Sequence, residues 1–420
     1  MYALIISAVF PPEPVVSAQT SAQIVDALIR RQHQVTVIAP FPSKPAGKLY
    51  PGYRRRLFQR EGTPQGFDVI RCFSTLAPES RMRTRFVENL TFGMTSSWAV
   101  LRAKRPDVIY ANSWPIIATG LLALIARLHK IPLVISVQDV YPESIISQQR
   151  AQANGWPVRL MRRMDTAIAR SCHAIIVIAD RFARLYRNDR RVPSERVHCI
   201  PNWMDSQSVV VDDPRAAQFR QRLGIPPQAV VVAYGGNVGM AAGVETVVES
   251  FSGQKDANDL YLVIAGEGSQ LTACQMLAVK TNNPRIKFHA PWPKDETSML
   301  LSAADVLILP TRGQQSLASV PSKLITYMLA ARPVIALALR GSDVAEVIGQ
   351  SGCGWLVEPD QPAQLAVKLR EVMSLPTEER AKRGRAGRDY ALKHFTQETC
   401  VPEIIQIIEN AVMHPGQAMA

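Results

Sequence analysis

The residues best suited to chemistry lie in the stretch 310–337, where Lys323 falls just after Pro321-Ser322. The apolar run at 304–310 reads as a buried strand, and residues 311–320 as a polar loop. Pro321-Ser322 then opens a helix with Lys323 on its first turn, and Arg332-Pro333 is expected to end it. Proline is tolerated there because its missing N–H would be unpaired anyway. Free backbone N–H groups and the positive end of the helix dipole suit such a start to phosphate, and a lysine adds a full charge. An ordinary strand–loop–helix unit with a solvated lysine has the same pattern, so this stretch alone leaves both readings open.

Three more loops follow strand-like runs in the same half. They are Tyr234-Gly235-Gly236-Asn237-Val238-Gly239, Ala265-Gly266-Glu267-Gly268 and His289-Ala290-Pro291. Glycine lets backbone approach a ligand closely. None of the three is a full G-x-G-x-x-G, and each alone is weak. Four such loops at successive strand ends converge on one rim, and His289 would line a base pocket through its backbone. In the N-terminal half, Phe10-Pro11-Pro12-Glu13 makes a stiff turn after the first strand, and Asp139-Val140-Tyr141-Pro142-Glu143-Ser144 follows the run LVISV. Carboxylates at the carboxyl end of a strand can act as base or bind hydroxyls. They can also cap or flank the next helix. Spacing favours the capping reading for Glu143 and leaves Asp139 open.

These loops need a scaffold, and the chain supplies strands alternating with helices. Strand-like runs fall at 2–7, 34–39, 67–72, 107–112, 133–137 and 174–179, with amphipathic helices at 17–31 and 85–104. A linker-like segment spans 200–214, after which the pattern restarts with runs at 230–234, 260–265, 286–289, 305–309, 333–336 and 355–357. A helical tail covers about 377–413, with breaks expected near Gly384, Gly387 and Phe395. Such alternation predicts an α/β protein of two doubly wound domains facing a cleft, with ligands outside the carboxyl ends of the strands.

Charge is divided unevenly. Residues 1–200 hold 28 Lys and Arg against 13 Asp and Glu, while the remainder holds 20 against 22. A basic half predicts an anionic partner such as phosphate or acidic lipid headgroups. The segment 81–104 mixes Arg81, Arg83, Arg85, Arg102 and Lys104 with Phe86, Phe92, Met94 and Trp98, a pattern shared by interfacial helices and by ordinary surface helices. No nucleic-acid-binding motif accompanies it. Six scattered cysteines fit a reducing compartment, and no Cys or His spacing marks a metal site. The N-terminus lacks a basic region and meets Pro11-Pro12 early, so it reads as a strand rather than a signal peptide. The expected location is the cytoplasm, or attachment to a membrane surface from that side.

FPPE, IPNWMD, GGNVG, AGEG, AADVLILP and PSKLITYMLAARPVIA occur in this order along nearly the whole chain. Together they resemble the retaining glycosyltransferases of the GT4 type, and DVYPES with GNVGMAAG is most similar to the WbuB branch of bacterial surface-polysaccharide enzymes. The resemblance implies the GT-B fold. An acceptor-side Rossmann-like domain would span 1–203, a nucleotide-sugar-binding one 204–395, and a C-terminal helix at 396–420 would cross back. A UDP-sugar, with N-acetyl-L-fucosamine as a candidate sugar, would be the donor, and a polyprenyl-diphosphate-linked chain at the anionic inner face of the cell membrane the acceptor. No metal or other cofactor and no nucleic acid are expected. The donor would meet Gly236, Asn237, Gly239, Gly268, His289, Val320, Pro321, Ser322, Lys323 and Thr326. Asp139 and Glu267 would serve at the reacting sugar, with Glu13 and Glu143 on the acceptor side.

The chain departs from the family pattern at several positions. Ala318 and Thr326 stand where many relatives carry two glutamates, Asn237 and Ala242 where they carry Arg and Lys, and Gln138 where they carry His beside the aspartate. Lys323 is then the local replacement for the missing phosphate-binding cations. A UDP-sugar 2-epimerase of the same fold and a non-catalytic scaffold subunit are the competing expectations.

Overall fold

The computed structural model describes residues 1–76, 82–112, 116–143, 155–252, 259–313 and 319–414. Arg81, Ser144 and Ala318 lie outside them, as do the side chains of Met82 and Arg83. The chain divides into two compact units. One holds Met1–Ile200 and the chain from Cys400 onward, and the other Pro201–Thr399.

The first unit is built on β1 (Tyr2–Ile6), β2 (Gln34–Pro40), β3 (Phe58–Gly62), β4 (Asp68–Cys72), β5 (Val108–Asn112), β6 (Leu133–Val137), β7 (Ala174–Val177) and β8 (Val197–Cys199). They form one sheet in the order β3-β4-β2-β1-β5-β6-β7-β8. All pairs are parallel except β3 with β4. β1 lies in the middle, with Ile5 opposite Val37 on one side and Tyr110 on the other. Leu4 and Ile5 are wholly buried, as apolar runs in a sheet covered on both faces must be. Each such side chain contributes about 1.5–3 kcal/mol by leaving water. Helices α1 (Val16–Arg30), α2 (Met82–Arg102), α3 (Ile116–Leu128), α4 (Trp156–Ser171) and α5 (Asp180–Arg184) accompany the strands. Strand order reverses between β1 and β5, which makes their carboxyl ends a switch point.

The second unit begins with α6 (Ala216–Arg222). It continues with β9 (Val230–Gly235), α7 (Val244–Ser252), β10 (Leu260–Ala265), α8 (Leu271–Thr281), β11 (Ile286–His289), α9 (Thr297–Ala303) and β12 (Val306–Leu309). Next come α10 (Ser322–Leu329), β13 (Val334–Leu337), α11 (Asp343–Ser351), β14 (Gly354–Val357), α12 (Pro362–Ser374) and α13 (Thr377–His394). The sheet order is β11-β10-β9-β12-β13-β14, parallel throughout. Here the switch point lies between β9 and β12. Those are the strands that feed the GGNVG loop and the loop ahead of Lys323. The last helix, α14 (Gln397–Met413), belongs to the first unit from Cys400 on. There Glu409 pairs with Arg31 at 2.8 Å and with His33 at 2.9 Å.

Three local expectations are corrected. α13 runs unbroken through Gly384 and Gly387 and stops only at Phe395. The glycines are there for close packing: a Cβ on Gly384 would lie 2.1 Å from the Ala331 carbonyl oxygen, and one on Gly387 2.7 Å from Cys353 Cβ. The helix carrying Lys323 ends at Leu329, and Ala331 then turns left-handed at φ 56°, so the reversal comes before Arg332-Pro333. β3 and β8 are additional strands. β3 reads FQREG and β8 is three residues long, so neither presents an apolar run. Among the described residues no helix is long and apolar enough to cross a membrane.

Candidate active site

At the switch point of the second unit, the loops after β9 and β10 are laced together beyond the ends of their strands. Gly236 N donates to Ala265 O at 2.9 Å, Val238 N to Glu267 O at 2.9 Å, and Gln270 N to Val238 O at 2.9 Å. Gly266 N donates in turn to His289 O at 3.1 Å, tying in the loop after β11. This lacing explains the glycines. Gly266 has φ 128°, and a Cβ there would sit 2.0 Å from Gly236 O. Gly268, at φ 156°, would place one 2.4 Å from Val238 O.

Helix α10 is fixed to the same edge. The buried Tyr327 hydroxyl accepts from Gly235 N at 3.0 Å and donates to Gly235 O at 3.2 Å. Burial pushes both the Tyr327 and the Tyr234 phenol pKa up, so each stays a neutral donor. Tyr234, the next-to-last residue of β9, donates to Asn237 O at 2.7 Å and accepts from Lys323 Nζ at 3.0 Å. The ammonium also lies 5.1 Å from the Tyr234 ring centroid. Gly236, at φ 146°, makes room for it, since a Cβ would fall 2.0 Å from Lys323 Cε. Thus Lys323 is held on a phenol and a glycine, beside the loop after β9 and at the start of α10.

What surrounds Lys323 is as informative as what holds it. It is partly buried, and among the described residues it has no carboxylate partner. Burial pushes its pKa down from the ordinary lysine value. A cation left in that state is relieved by an anion. The backbone N–H groups of Asn237, Gly239, Ser322 and Lys323 likewise have no hydrogen-bond partner among the described residues. Pro321 is the extended residue preceding α10, and Val320 is buried behind it. The result is a set of donors around one cation, which fits a phosphate or diphosphate.

The remaining residues of this rim are disposed differently. Thr326 donates its hydroxyl to Ser322 O at 2.9 Å, one turn back along its own helix. Asn237 and Gly239 stay close, a Cβ on Gly239 falling 3.1 Å from Asn237 Nδ2. The Glu267 carboxylate is exposed and has no partner among the described residues. The His289 ring is turned into the fold, 2.6 Å from Glu296 and edge-on to Phe219, so only its backbone can line a pocket. Ala318 cannot be placed, since it lies outside the described residues.

In the first unit, Glu13 is buried. Its carboxylate accepts from Phe10 N at 3.1 Å, Ser43 N at 2.9 Å and Lys44 N at 2.7 Å. It pins the loop after β1 to the loop after β2 and is not presented to an acceptor. Glu143 is likewise spent. Arg190, 1% exposed, reaches both of its oxygens at 2.9 and 2.8 Å, and Arg162 lies 3.4 Å away. Arg190 also binds Asp165 at 2.7 Å, whose other oxygen accepts from Tyr186 at 3.0 Å. Asp139 contrasts with both. It follows β6, remains exposed and has no partner among the described residues, while the protein around it pushes its pKa up from the usual aspartate value.

Sequence reasoning missed Tyr234, Tyr327 and Arg312. The tyrosines look like core residues of a strand and a helix, and only the bonds of Tyr327 to Gly235, across 92 residues, and of Lys323 to Tyr234, across 89, reveal what they do. Arg312 follows β12, and its N–H donates to Ala241 O at 3.4 Å. Glu245 neutralises it at 2.9 Å.

Residues 17–203 match the family described as glycosyl transferase 4-like domain, and residues 216–390 match glycosyl transferases group 1. The chain is 25% identical to the probable glycosyltransferase WbjE of Pseudomonas aeruginosa over 276 residues, 65% of this chain and 68% of that one. It is 22% identical to the putative colanic acid biosynthesis glycosyl transferase WcaI of Escherichia coli (strain K12), covering 96% of this chain and 98% of that one. Among solved structures, it is similar to sucrose-phosphate synthase from Thermosynechococcus elongatus at TM-score 0.73 and 17% identity, over 98% of this chain and 100% of that one. It is also similar to Anabaena Alr3699/HepE in complex with UDP, at TM-score 0.69 and 15% identity, over 98% and 100% of the two chains.

Proposed function

Because the chain belongs to the GT4-like glycosyltransferases of the GT-B fold, we propose that it moves a sugar, with retention, from a nucleotide-sugar to a lipid-linked or polysaccharide acceptor in bacterial surface-polysaccharide assembly. One observation carries the reading: the uncompensated Lys323 ammonium at the start of α10, against the glycine loops after β9 and β10. The similarity to a protein solved with UDP and with UDP-glucose supports a UDP-sugar as donor. WcaI's printed role in colanic acid biosynthesis supports the polysaccharide setting. A WbuB-like donor sugar such as N-acetyl-L-fucosamine remains the finer proposal, as do a polyprenyl-diphosphate-linked acceptor and contact with the anionic inner face of the cell membrane.

The chemistry follows from what the site offers. Transfer breaks the bond between the anomeric carbon and the nucleoside diphosphate, so negative charge develops on the departing phosphate oxygens. Preorganised donors aimed at that charge stabilise the transition state more than the ground state. In this proposal the N–H groups of Asn237, Gly239, Ser322 and Lys323 and the Lys323 ammonium supply them without a metal. Asp139 orients the acceptor or the transferred sugar, and the free Glu267 carboxylate binds sugar hydroxyls.

The test is Lys323→Ala, assayed with a panel of UDP-sugars and a lipid-diphosphate acceptor. Loss of one such donor lowers kcat by about 10²–10³, and UDP binding weakens as well. Unchanged transfer and unchanged UDP affinity would remove the phosphate assignment. Epimerised UDP-sugar without transfer would instead favour a 2-epimerase, and UDP binding without turnover a scaffold subunit.

A further inference from the structure

Three helices of the first unit form a layer on one face of its sheet. α2 packs on α3, and α3 packs on α4. Their inward sides bury Phe92, Ala99, Leu122 and Ile168. Their outward sides carry large apolar residues in helical stripes. Met94, Trp98 and Leu101 are 60, 48 and 51% exposed on α2, Leu124 and Leu128 55 and 71% on α3, and Trp156 and Leu160 75 and 49% on α4. Isolated exposed apolar residues are ordinary, but stripes on three adjoining helices are not.

The charge on these helices has one sign. Together they contain eight arginines and two carboxylates, Glu88 and Asp165. Both carboxylates are committed to ion pairs, Glu88 with Lys44 at 2.6 Å and Asp165 with the buried Arg190 at 2.7 Å. No exposed carboxylate on the three helices offsets the arginines. Arg102 lies 4.8 Å from the Trp98 ring centroid, so cation and indole share one edge of α2. Along α4, Arg159, Arg162, Arg163, Thr166 and Arg170 line a cavity of about 520 Å³.

We propose that the outward face of α2, α3 and α4 docks on a bilayer containing anionic phospholipid. The apolar stripes would enter the headgroup boundary, and the Arg159–Arg163 row of α4 would take phospholipid phosphates. Exposed tryptophans beside arginines suit the interface, where one end of each side chain is wet and the other apolar. A net cationic layer adds attraction to an anionic surface that falls off within a Debye length. The surface deepens the membrane contact proposed above and takes its biological sense from a membrane-embedded acceptor. Its test uses neither donor nor acceptor, so it can fail while the transferase reading stands, and the reverse.

The measurement is co-sedimentation of the full chain with vesicles of phosphatidylcholine alone or with phosphatidylglycerol, across a salt series. Binding to the anionic vesicles that falls with salt, and weak binding to the neutral ones, is expected. Arg159→Glu with Arg163→Glu lowers the partition coefficient about ten-fold or more, by the usual per-charge attraction. Trp98→Ala lowers it several-fold and weakens the residual binding that survives high salt. Arg340→Glu, at a residue 88% exposed in the other unit, leaves it unchanged. Melting temperatures equal to wild type establish that the variants are folded. Equal binding to neutral and anionic vesicles, indifference to the α4 reversals, or equal loss in Arg340→Glu would overturn the proposal. So would full competition by millimolar pyrophosphate, which would make α4 a soluble-phosphate site.

Discussion

The two units share an architecture but treat the charges at their sheet edges in opposite ways. In the first unit the carboxylates are consumed by the fold: Glu13 by three backbone N–H groups, Glu143 and Asp165 by Arg190. In the second, Lys323 is brought to the edge by a phenol and a glycine and has no carboxylate partner among the described residues, while Arg312 is neutralised by Glu245. The contrast separates charges that hold loops from charges kept available. A satisfied network rigidifies, whereas an uncompensated partly buried cation stores binding energy for an anion. By that criterion Asp139 is an available carboxylate of the first unit, as Glu267 is of the second, each without a partner among the described residues.

The comparison breaks most visibly at Arg190. Its guanidinium is 1% exposed and compensates two carboxylates at once. Arg190→Met leaves Asp165 without a cation and Glu143 with Arg162 alone, and destabilises the protein by about 3–5 kcal/mol. Denaturant midpoints measure this directly. A loss below about 1 kcal/mol would mean that the network is not the structural element argued here.

Glu13→Gln comes next. An amide oxygen replaces one carboxylate oxygen, but the amide nitrogen then faces the backbone donors it cannot accept from. The expected cost is about 1–3 kcal/mol, read as a lower midpoint in chemical unfolding. If stability is unchanged while acceptor KM rises, Glu13 is an acceptor contact after all, and the division drawn above fails at that residue.

How much of this was readable beforehand depends on distance along the chain. Strand–helix alternation, the glycine loops and the Pro321-Ser322-Lys323 start are local patterns, and they led to the right architecture. The polar edge strand FQREG gives no apolar period because half of it faces solvent or charge partners. Gly384 and Gly387 look like helix breakers, yet they are contact points, since the Ala331 carbonyl that excludes a Cβ lies more than fifty residues away. Glu13 reads as an available acid until Ser43 and Lys44 fold back over it. The state of Lys323 is likewise invisible in sequence, because it depends on Tyr234 and on having no carboxylate partner among the described residues.

The smallest effect is the most specific, and it concerns the protonation of Lys323. Burial lowers its pKa from the ordinary value of 10.5, and only the ammonium form attracts a diphosphate. Affinity for UDP is therefore full below the pKa of the free protein and falls as pH rises through it, with the fall beginning below 10.5. A phosphate's last proton is lost near pH 6, so above about pH 7.5 the diphosphate contributes no slope, and the uracil N–H, which ionises at the alkaline end of the range, contributes the same slope to every variant. Isothermal titration with UDP from pH 7.5 to 10 at constant ionic strength traces the curve. Lys323→Ala leaves only the uracil slope at low affinity, and Lys323→Arg leaves only that slope at high affinity because guanidinium stays charged. Tyr234→Phe keeps the cation but deletes the hydroxyl that accepts from Nζ at 3.0 Å. It weakens binding by about 0.5–1.5 kcal/mol, the net worth of one hydrogen bond, without abolishing the slope. A wild-type fall no steeper than that of Lys323→Arg would show that the Lys323 ammonium does not meet the diphosphate. The contrast between a spent and an available edge would then rest on Asp139 and Glu267 alone.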